Sequence, residues 1–284
     1  MWTTVLISGI SLGAFYTLIA LGFALIFGVT RVFNIAHGEL LVLAGYLAYW
    51  LWKVGNIPLL FTFPVVMAAL LLLCLVLARL FSLLREPVEL NSIVLSIGVA
   101  ILLQNGMLFV FSGDYRLIRT AALSHTLHLA GIRLSCSQLT LLLLSVTVIT
   151  ILSLLMRHTY VGKALRATIQ DQEAAALAGI NVRSMGVLAF AVGGMLIGLA
   201  GPLYASIHYL YPAAGQQATL IAIAITIFSG VGRLRGIILG GWLLGLGESA
   251  AVILLGASWR ELVSALLLLI FLMIRPAGLA GEKE

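Results

Sequence analysis

Apolar residues run along this chain in long blocks at 4–29, 34–52, 58–80, 91–111, 136–156, 185–206, 216–232, 236–256 and 260–274. Each block lies near the ~20 residues that an α-helix needs to cross a hydrocarbon layer. The pattern therefore predicts an all-α, polytopic transmembrane bundle of about nine spans. The run at 216–232 is short, and a re-entrant or broken segment is open there. One stretch breaks the apolar rhythm. Residues 157–184, RHTYVGKALRATIQDQEAAALAGINVRS, form the one long polar-rich segment and carry Arg157, Lys163, Arg166 and Arg183. Val161, Leu165, Ile169 and Leu177 recur there at steps of four or eight, with Lys163, Arg166, Gln170 and Gln172 off that stripe. That spacing predicts an amphipathic helix. It is expected to end at Gly179, since glycine takes a left-handed cap without steric cost. Such a helix is suited to pressing on a partner, and equally to lying on the membrane surface as a connector.

Charge sets an expected orientation. With nine crossings and a cytoplasmic C-terminus, the inside collects Arg31, Arg79, Arg85, Arg157, Lys163, Arg166, Arg183, Arg233, Arg235, Arg275 and Lys283. Lys53, Arg116, Arg119, Arg133 and Arg260 are left outside. Eleven against five follows the positive-inside rule, whereas a re-entrant run at 216–232 gives eight against eight. A true crossing is expected, with residues 157–184 in the cytoplasm. The first thirty residues contain no lysine or arginine, so they lack the basic start of a cleavable signal, and the first span is expected to be retained.

Small-residue motifs suggest close helix packing. Gly9/Gly13, Gly194/Gly198, Gly236/Gly240 and Gly241/Gly245 are each GxxxG pairs, which suit either general packing or a helix from another subunit. Ile26 to Arg31 and Ile227 to Arg233 share a pattern once one residue is inserted. Transporter repeats leave such echoes, and two similar apolar helix ends do so by chance.

Polar residues at membrane depth are costly unless paired or wetted. The candidates are Asn34, His37, Glu39, Gln104, Asn105 and Glu248. Asn34 stands where an N-cap is expected, and Glu39 in the next turn suits the positive end of a helix. Capping and a place on a transport pathway both remain open for that cluster. Gln104, Asn105 and Glu248 are read as holding helices together or lining the interior.

Composition closes off the soluble classes. With 62% hydrophobic and 9% charged residues in 284 and a mean hydropathy of +1.17, the apolar surface exceeds what a water-soluble globule can hide. The net charge of +6 is spread over loops and does not point to nucleic acid. Cys74 and Cys136 do not read as disulfide halves. His125 and His128 lack a third ligand nearby, and neither an HExxH helix nor a G-x-S-x-G elbow is present. No metal site is expected. The chain also lacks a GxxxxGK[ST] phosphate loop, so any ATP and Mg chemistry is expected on other polypeptides, and no cofactor is expected here. The loop from Ser112 to Ser135 carries Asp114, Arg116, Arg119 and Arg133 and is either a docking rim or a solvated connector.

Several motifs resemble one family in the expected order. Glu173-Ala174-Ala175-x-x-x-Gly179 resembles the start of the coupling-loop signature of ABC importer permeases. Gly162-Lys163-Ala164-Leu165-Arg166-Ala167 and Leu177-Ala178-Gly179-Ile180-Asn181 resemble the loop of the branched-chain amino acid subfamily. Asn34-Ile35-Ala36-His37-Gly38-Glu39, Leu95-Ser96-Ile97-Gly98 with Gln104-Asn105, and Arg275 to Gly281 are similar as well. The Ile-x-Leu-Pro half of the general signature is absent, with Ala189-Phe190-Ala191-Val192 about where it would fall, as is typical of this subfamily.

The resemblance implies one permease domain over residues 1–284 in a bacterial inner membrane, with a cytoplasmic coupling loop at 157–184. It implies a second, identical or related permease, two ATP-binding subunits below, and an external solute-binding protein. Gly162, Leu165, Arg166, Ile169, Glu173, Ala174 and Gly179 are then the expected coupling residues, with Leu165, Ile169 and Leu177 buried against the motor. Permeases for urea or short-chain amides resemble the same family. An ion-coupled secondary transporter would need paired acids, for which Glu39 and Glu248 are the candidates.

Overall fold

The computed structural model describes residues 2–120, 125–129, 132–230, 232–259, 262, 263, 265–267, 269 and 270. Its helices are α1 (Trp2–Thr30), α2 (His37–Lys53), α3 (Leu59–Phe81), α4 (Val88–Phe111), α5 (Cys136–His158), α6 (Tyr160–Gln170), α7 (Gln172–Leu177), α8 (Val182–Ile207), α9 (Gly215–Ser229) and α10 (Leu234–Leu254). Between α4 and α5 an antiparallel hairpin pairs β1 (Thr126–Leu129) with β2 (Ile132–Ser135), placing His128 opposite Arg133. That hairpin is the one departure among the described residues from the all-helical expectation.

Among the described residues, seven segments are long and apolar enough to cross a membrane: Val5–Thr30, Leu59–Phe81, Val88–Phe111, Cys136–His158, Val182–Ile207, Pro212–Ser229 and Leu234–Leu254. The chain is a multi-pass membrane protein. Nine blocks were expected. The block at 34–52 becomes α2, whose 17 residues rise only ~26 Å. Of the block at 260–274 only residues 262, 263, 265–267, 269 and 270 are described, and the motif at 275–281 lies outside the described residues. The short block at 216–232 becomes α9, 15 residues led in by a 3₁₀ turn at Pro212–Ala214.

The chain forms two compact units, each discontinuous in sequence. One comprises Met1–Leu21, Arg119–Ser153 and Ile221–Glu284. Its core is a glycine seam. A Cβ on Gly9 would lie 2.8 Å from Leu246 Cα, one on Gly13 2.7 Å from Trp242 Cα, and one on Gly245 2.5 Å from Gly13 Cα. Two GxxxG motifs, far apart in sequence, therefore face one another and let α1 and α10 touch along their backbones. Along that seam the Tyr16 hydroxyl donates to Glu248 Oε2 at 2.6 Å, and the Ser249 hydroxyl donates to Val5 O at 2.9 Å. Gly236 and Gly240 meet Ser229 and Phe228 of α9 in the same way.

The other unit comprises Gly22–Ile118 and Leu154–Leu220. Its most extensive packing sets α3 on α8, and α2 on α8 is next. Gly194 and Gly198 make the first possible, since Cβ atoms there would come within 2.8 Å of Leu70 O and 2.7 Å of Met67 Cα. All four GxxxG pairs are thus used inside this chain. Past α4 the backbone returns to this unit. Arg116 N donates to Leu210 O at 3.0 Å, Leu210 N to Arg116 O at 2.7 Å, and Ile118 N to Ala205 O at 2.8 Å. The Arg116 guanidinium lies 5.4 Å from the centroid of the Tyr49 ring, and Tyr115 packs against Tyr209 and Tyr211. Tyrosines gathered at one end of the helices mark a membrane–water boundary.

The two segments that share a sequence echo also end alike. α1 stops at Thr30 and passes to Arg31 at φ 57°, while α9 stops at Ser229 and passes to Gly230 at φ 77°. Both Cys74 and Cys136 are free thiols.

Candidate functional site

Residues 157–184 build two helices where one was expected. Thr159 caps α6, its hydroxyl accepting from Gly162 N at 3.0 Å. Asp171 then takes an extended conformation (φ −156°, ψ 114°) and its carboxylate accepts from Glu173 N at 2.9 Å and Ala174 N at 3.0 Å. A side chain that satisfies two free amides at a new helix start ends the old helix one residue earlier. α7 ends as expected. Gly179 sits at φ 83°, Gly179 N donates to Ala176 O at 3.0 Å and Ile180 N reaches back to Ala175 O at 3.0 Å. Asn181 caps α8 through Ser184 N at 3.0 Å.

The break redistributes the expected stripe. Leu165 is 4% exposed and packed within this chain, with Gly162, Ala164 and Thr168 beside it on the buried face of α6. Gly162 has no room for a Cβ, which would come within 2.5 Å of Met156 Cα. Val161 is exposed and Ile169 only partly buried. Leu177 is 91% exposed, because the turn at Asp171 takes it off the α6 face. The exposed residues of the loop include Arg166, Glu173, Ala174, Leu177, Ala178 and Gly179. Gln172 ties α7 inward, its Nε2 donating to Val29 O at 2.9 Å.

The second polar region is the start of α2. Asn34 was expected to cap it. Instead Ala36 is the capping residue with no side-chain bond, and Asn34 Oδ1 accepts from Ala36 N at 3.1 Å in a local turn one step upstream. Asn34 is 1% and Glu39 2% exposed, and His37 is fully buried with its ring edge-on to Phe23 at 5.5 Å. The partner of this region is the start of α9, which sequence reasoning missed. Thr219 Oγ1 accepts from Gly38 N at 2.8 Å and lies 3.0 Å from Ile35 O, to which it donates. Gly38 and Gly215 leave no space between the two backbones, and a Cβ on Gly215 would lie 2.7 Å from Glu39 N. Asn34 Nδ2 and Glu39 Oε2 are buried without a hydrogen-bond partner in the described residues. Capping does not use those two atoms, so the cluster holds polar capacity beyond what its own helix consumes.

Thr219→Val keeps the shape of the junction and removes the hydroxyl, stranding Gly38 N. It is expected to cost about 1–3 kcal/mol, read as a lower unfolding temperature in detergent.

The remaining candidates lie apart from these regions. Gln104 is half-buried on α4, and Asn105 is exposed with its Nδ2 donating to Ile101 O of the same helix at 2.8 Å. Asn105 therefore does not bind another helix of this chain through that bond, against expectation. Glu248 is buried in the α1–α10 seam, as expected for a residue that holds helices together.

Comparison with known proteins adds what geometry cannot supply. Residues 5–272 match the family described as branched-chain amino acid transport system / permease component. The chain is 26% identical to the high-affinity branched-chain amino acid transport system permease protein BraD of Pseudomonas aeruginosa, over 98% of this chain and 95% of that protein. It is 24% identical to the corresponding permease LivH of Escherichia coli K12, over 98% of this chain and 94% of that one. It is 27% identical to a probable branched-chain amino acid transport permease of Methanocaldococcus jannaschii, over 93% and 88%. No solved structure matches at a significant level. A match that spans nearly every helix described above, the 157–184 segment and the α2–α9 junction included, settles the assignment: the chain belongs to the family of branched-chain amino acid transport permease components.

Proposed function

We propose that this chain is the membrane-spanning permease subunit of an ATP-driven importer of branched-chain amino acids, delivered by an external binding protein. The observation that carries the reading is the family match over residues 5–272, with its named relatives covered almost end to end. The whole chain acts as one permease domain of nine spans with its C-terminus in the cytoplasm, a reading supported by the eleven-to-five distribution of basic residues. A second permease, two ATP-binding subunits and the binding protein complete the machine, in a bacterial inner membrane.

Residues 157–184 are its coupling loop. The outward surface of α7, Glu173, Ala174, Leu177 and Gly179, meets the ATPase, with Arg166 on its flank. Gly162 and Leu165 hold α6 against the permease, and Ile169 sits at the edge of that packed face. Motor closure displaces α7, and the tie from Gln172 to Val29 carries the displacement into α1. Asn34, His37 and Glu39 belong to the pathway, exposed to solute when the α2–α9 junction opens. The spare hydrogen-bonding capacity of Asn34 Nδ2 and Glu39 Oε2 supports that role.

The test is reconstitution. The chain is expected to copurify with an ATPase subunit and to import leucine into proteoliposomes only with ATP and the binding protein present. Uptake that persists without ATP, or that collapses with the proton or sodium gradient, overturns the reading.

A further inference from the structure

A cavity of about 770 Å³ opens within the second unit, where α1 and α3 end and α8 begins. That volume falls in the range of small-molecule sites. Its floor is apolar, formed by residues such as Val29, Ala78, Phe81 and Phe190, while Arg79, Arg183 and Glu86 stand among the lining groups. Neither guanidinium forms an ion pair among the described residues. Glu86 is already engaged, its Oε2 accepting from Val88 N at 3.2 Å at the start of α4. Two arginines against one occupied carboxylate leave the cavity positive. Arg183 also stands in the first turn of α8, where the helix dipole disfavours a cation, so helix stability does not explain it.

We propose that this cavity holds the headgroup of an anionic phospholipid of the cytoplasmic leaflet, its phosphodiester held between Arg79 and Arg183. Two guanidinium forks suit phosphate oxygens in a way that single point charges do not. The position suits a lipid more than a soluble anion. α1, α3 and α8 are all segments long enough to span, so their ends lie at headgroup level. Beside the cavity, Leu72, Val76, Leu80 and Leu83 of α3 and the turn after it are exposed, an apolar track that acyl chains can follow to the site. Basic pockets between spanning helices at the cytoplasmic face are suited to anionic headgroups. Gln172, the first residue of α7, lines the same cavity, so the occupant touches the coupling helix and steadies it. The leaflet assignment rests on the orientation proposed above.

The test uses the full chain purified with its partner subunits, in nanodiscs of phosphatidylethanolamine with or without phosphatidylglycerol. Native mass spectrometry reads retained lipid, and leucine uptake in matching liposomes is read separately. Wild type is expected to retain phosphatidylglycerol, and Arg79→Ala with Arg183→Ala to lose it about fivefold or more, with the phosphatidylglycerol stimulation of uptake lost too. Arg157→Ala, on the same face but outside the cavity lining, is expected to behave as wild type. If the alanine pair fails to assemble, the Arg79→Gln, Arg183→Gln pair keeps most of the packing and carries the same expectation. Equal retention in wild type and the double variant overturns the proposal. So does displacement of the lipid by inorganic phosphate, which would assign the cavity to a soluble anion. Retention is measured without transport, so failure of the importer reading leaves this result standing.

Discussion

Replacing Gly38 with alanine is expected to abolish uptake and to sharply reduce the yield of folded protein. The new Cβ would collide with Gly215 O and would lie 2.6 Å from Thr219 Oγ1 and 2.7 Å from Thr219 N. Two of those three atoms belong to the backbone of α9, so no rotamer change relieves the clash, and the helices must separate. Overpacking of a tight site costs about 1–3 kcal/mol when side chains yield, and a backbone clash lies at the upper end of that range or beyond. Separation would also break the Gly38 N to Thr219 hydrogen bond. The measurement is thermal unfolding in detergent alongside leucine uptake. A Gly38→Ala protein with wild-type stability and transport would show that the junction has slack this geometry does not contain.

Leu177→Glu is expected to do the reverse: a normally folded protein that no longer couples ATP hydrolysis to uptake. Leu177 is 91% exposed, so nothing in this chain is disturbed by a charge there, whereas an apolar contact with the motor would be lost. The matched control is Leu165→Glu. That residue is 4% exposed on the packed face of α6, where an unpaired carboxylate costs several kcal/mol and should unfold the loop. Folding is read by size-exclusion profile, coupling by the ratio of leucine imported to ATP hydrolysed. If Leu177→Glu imports normally while retaining its ATPase, α7 is not the contact.

Much of this architecture could be read from the order of residues. The blocks at 58–80 and 136–156 became helices at 59–81 and 136–158, because a long apolar run in a membrane has few alternatives to a helix. Gly179 announced the end of α7 correctly, since its φ of 83° is open to few other residues. The division at Asp171 went unread, although its signal was present. An aspartate followed by Gln-Glu-Ala-Ala is a capping pattern, and it was overridden by an apolar periodicity that runs across it. The partner of the Asn34 to Glu39 cluster was out of reach for a different reason. Gly38 and Thr219 are 181 positions apart, and no local pattern encodes which helix start meets which. The GxxxG pairs lie between these cases. Each motif was visible, but only the fold shows that Gly9 and Gly13 face Gly241 and Gly245. Asn105 misled because a polar residue in a span suggests a helix neighbour, while an amide can bond to its own preceding turn.

One extended residue separates α6 from α7. An α-helix transmits torque along its length because consecutive hydrogen bonds link every turn, and Asp171 interrupts that linkage. α7 is therefore not torsionally continuous with α6, which Gly162 and Leu165 clamp. It is held by the buried Ala175 and by the Gln172 side chain on the last turn of α1. If the proposed ATPase contact is made, a push on α7 is steered sideways into the first membrane helix as well as along the chain, the way a bell crank turns a pull around a corner.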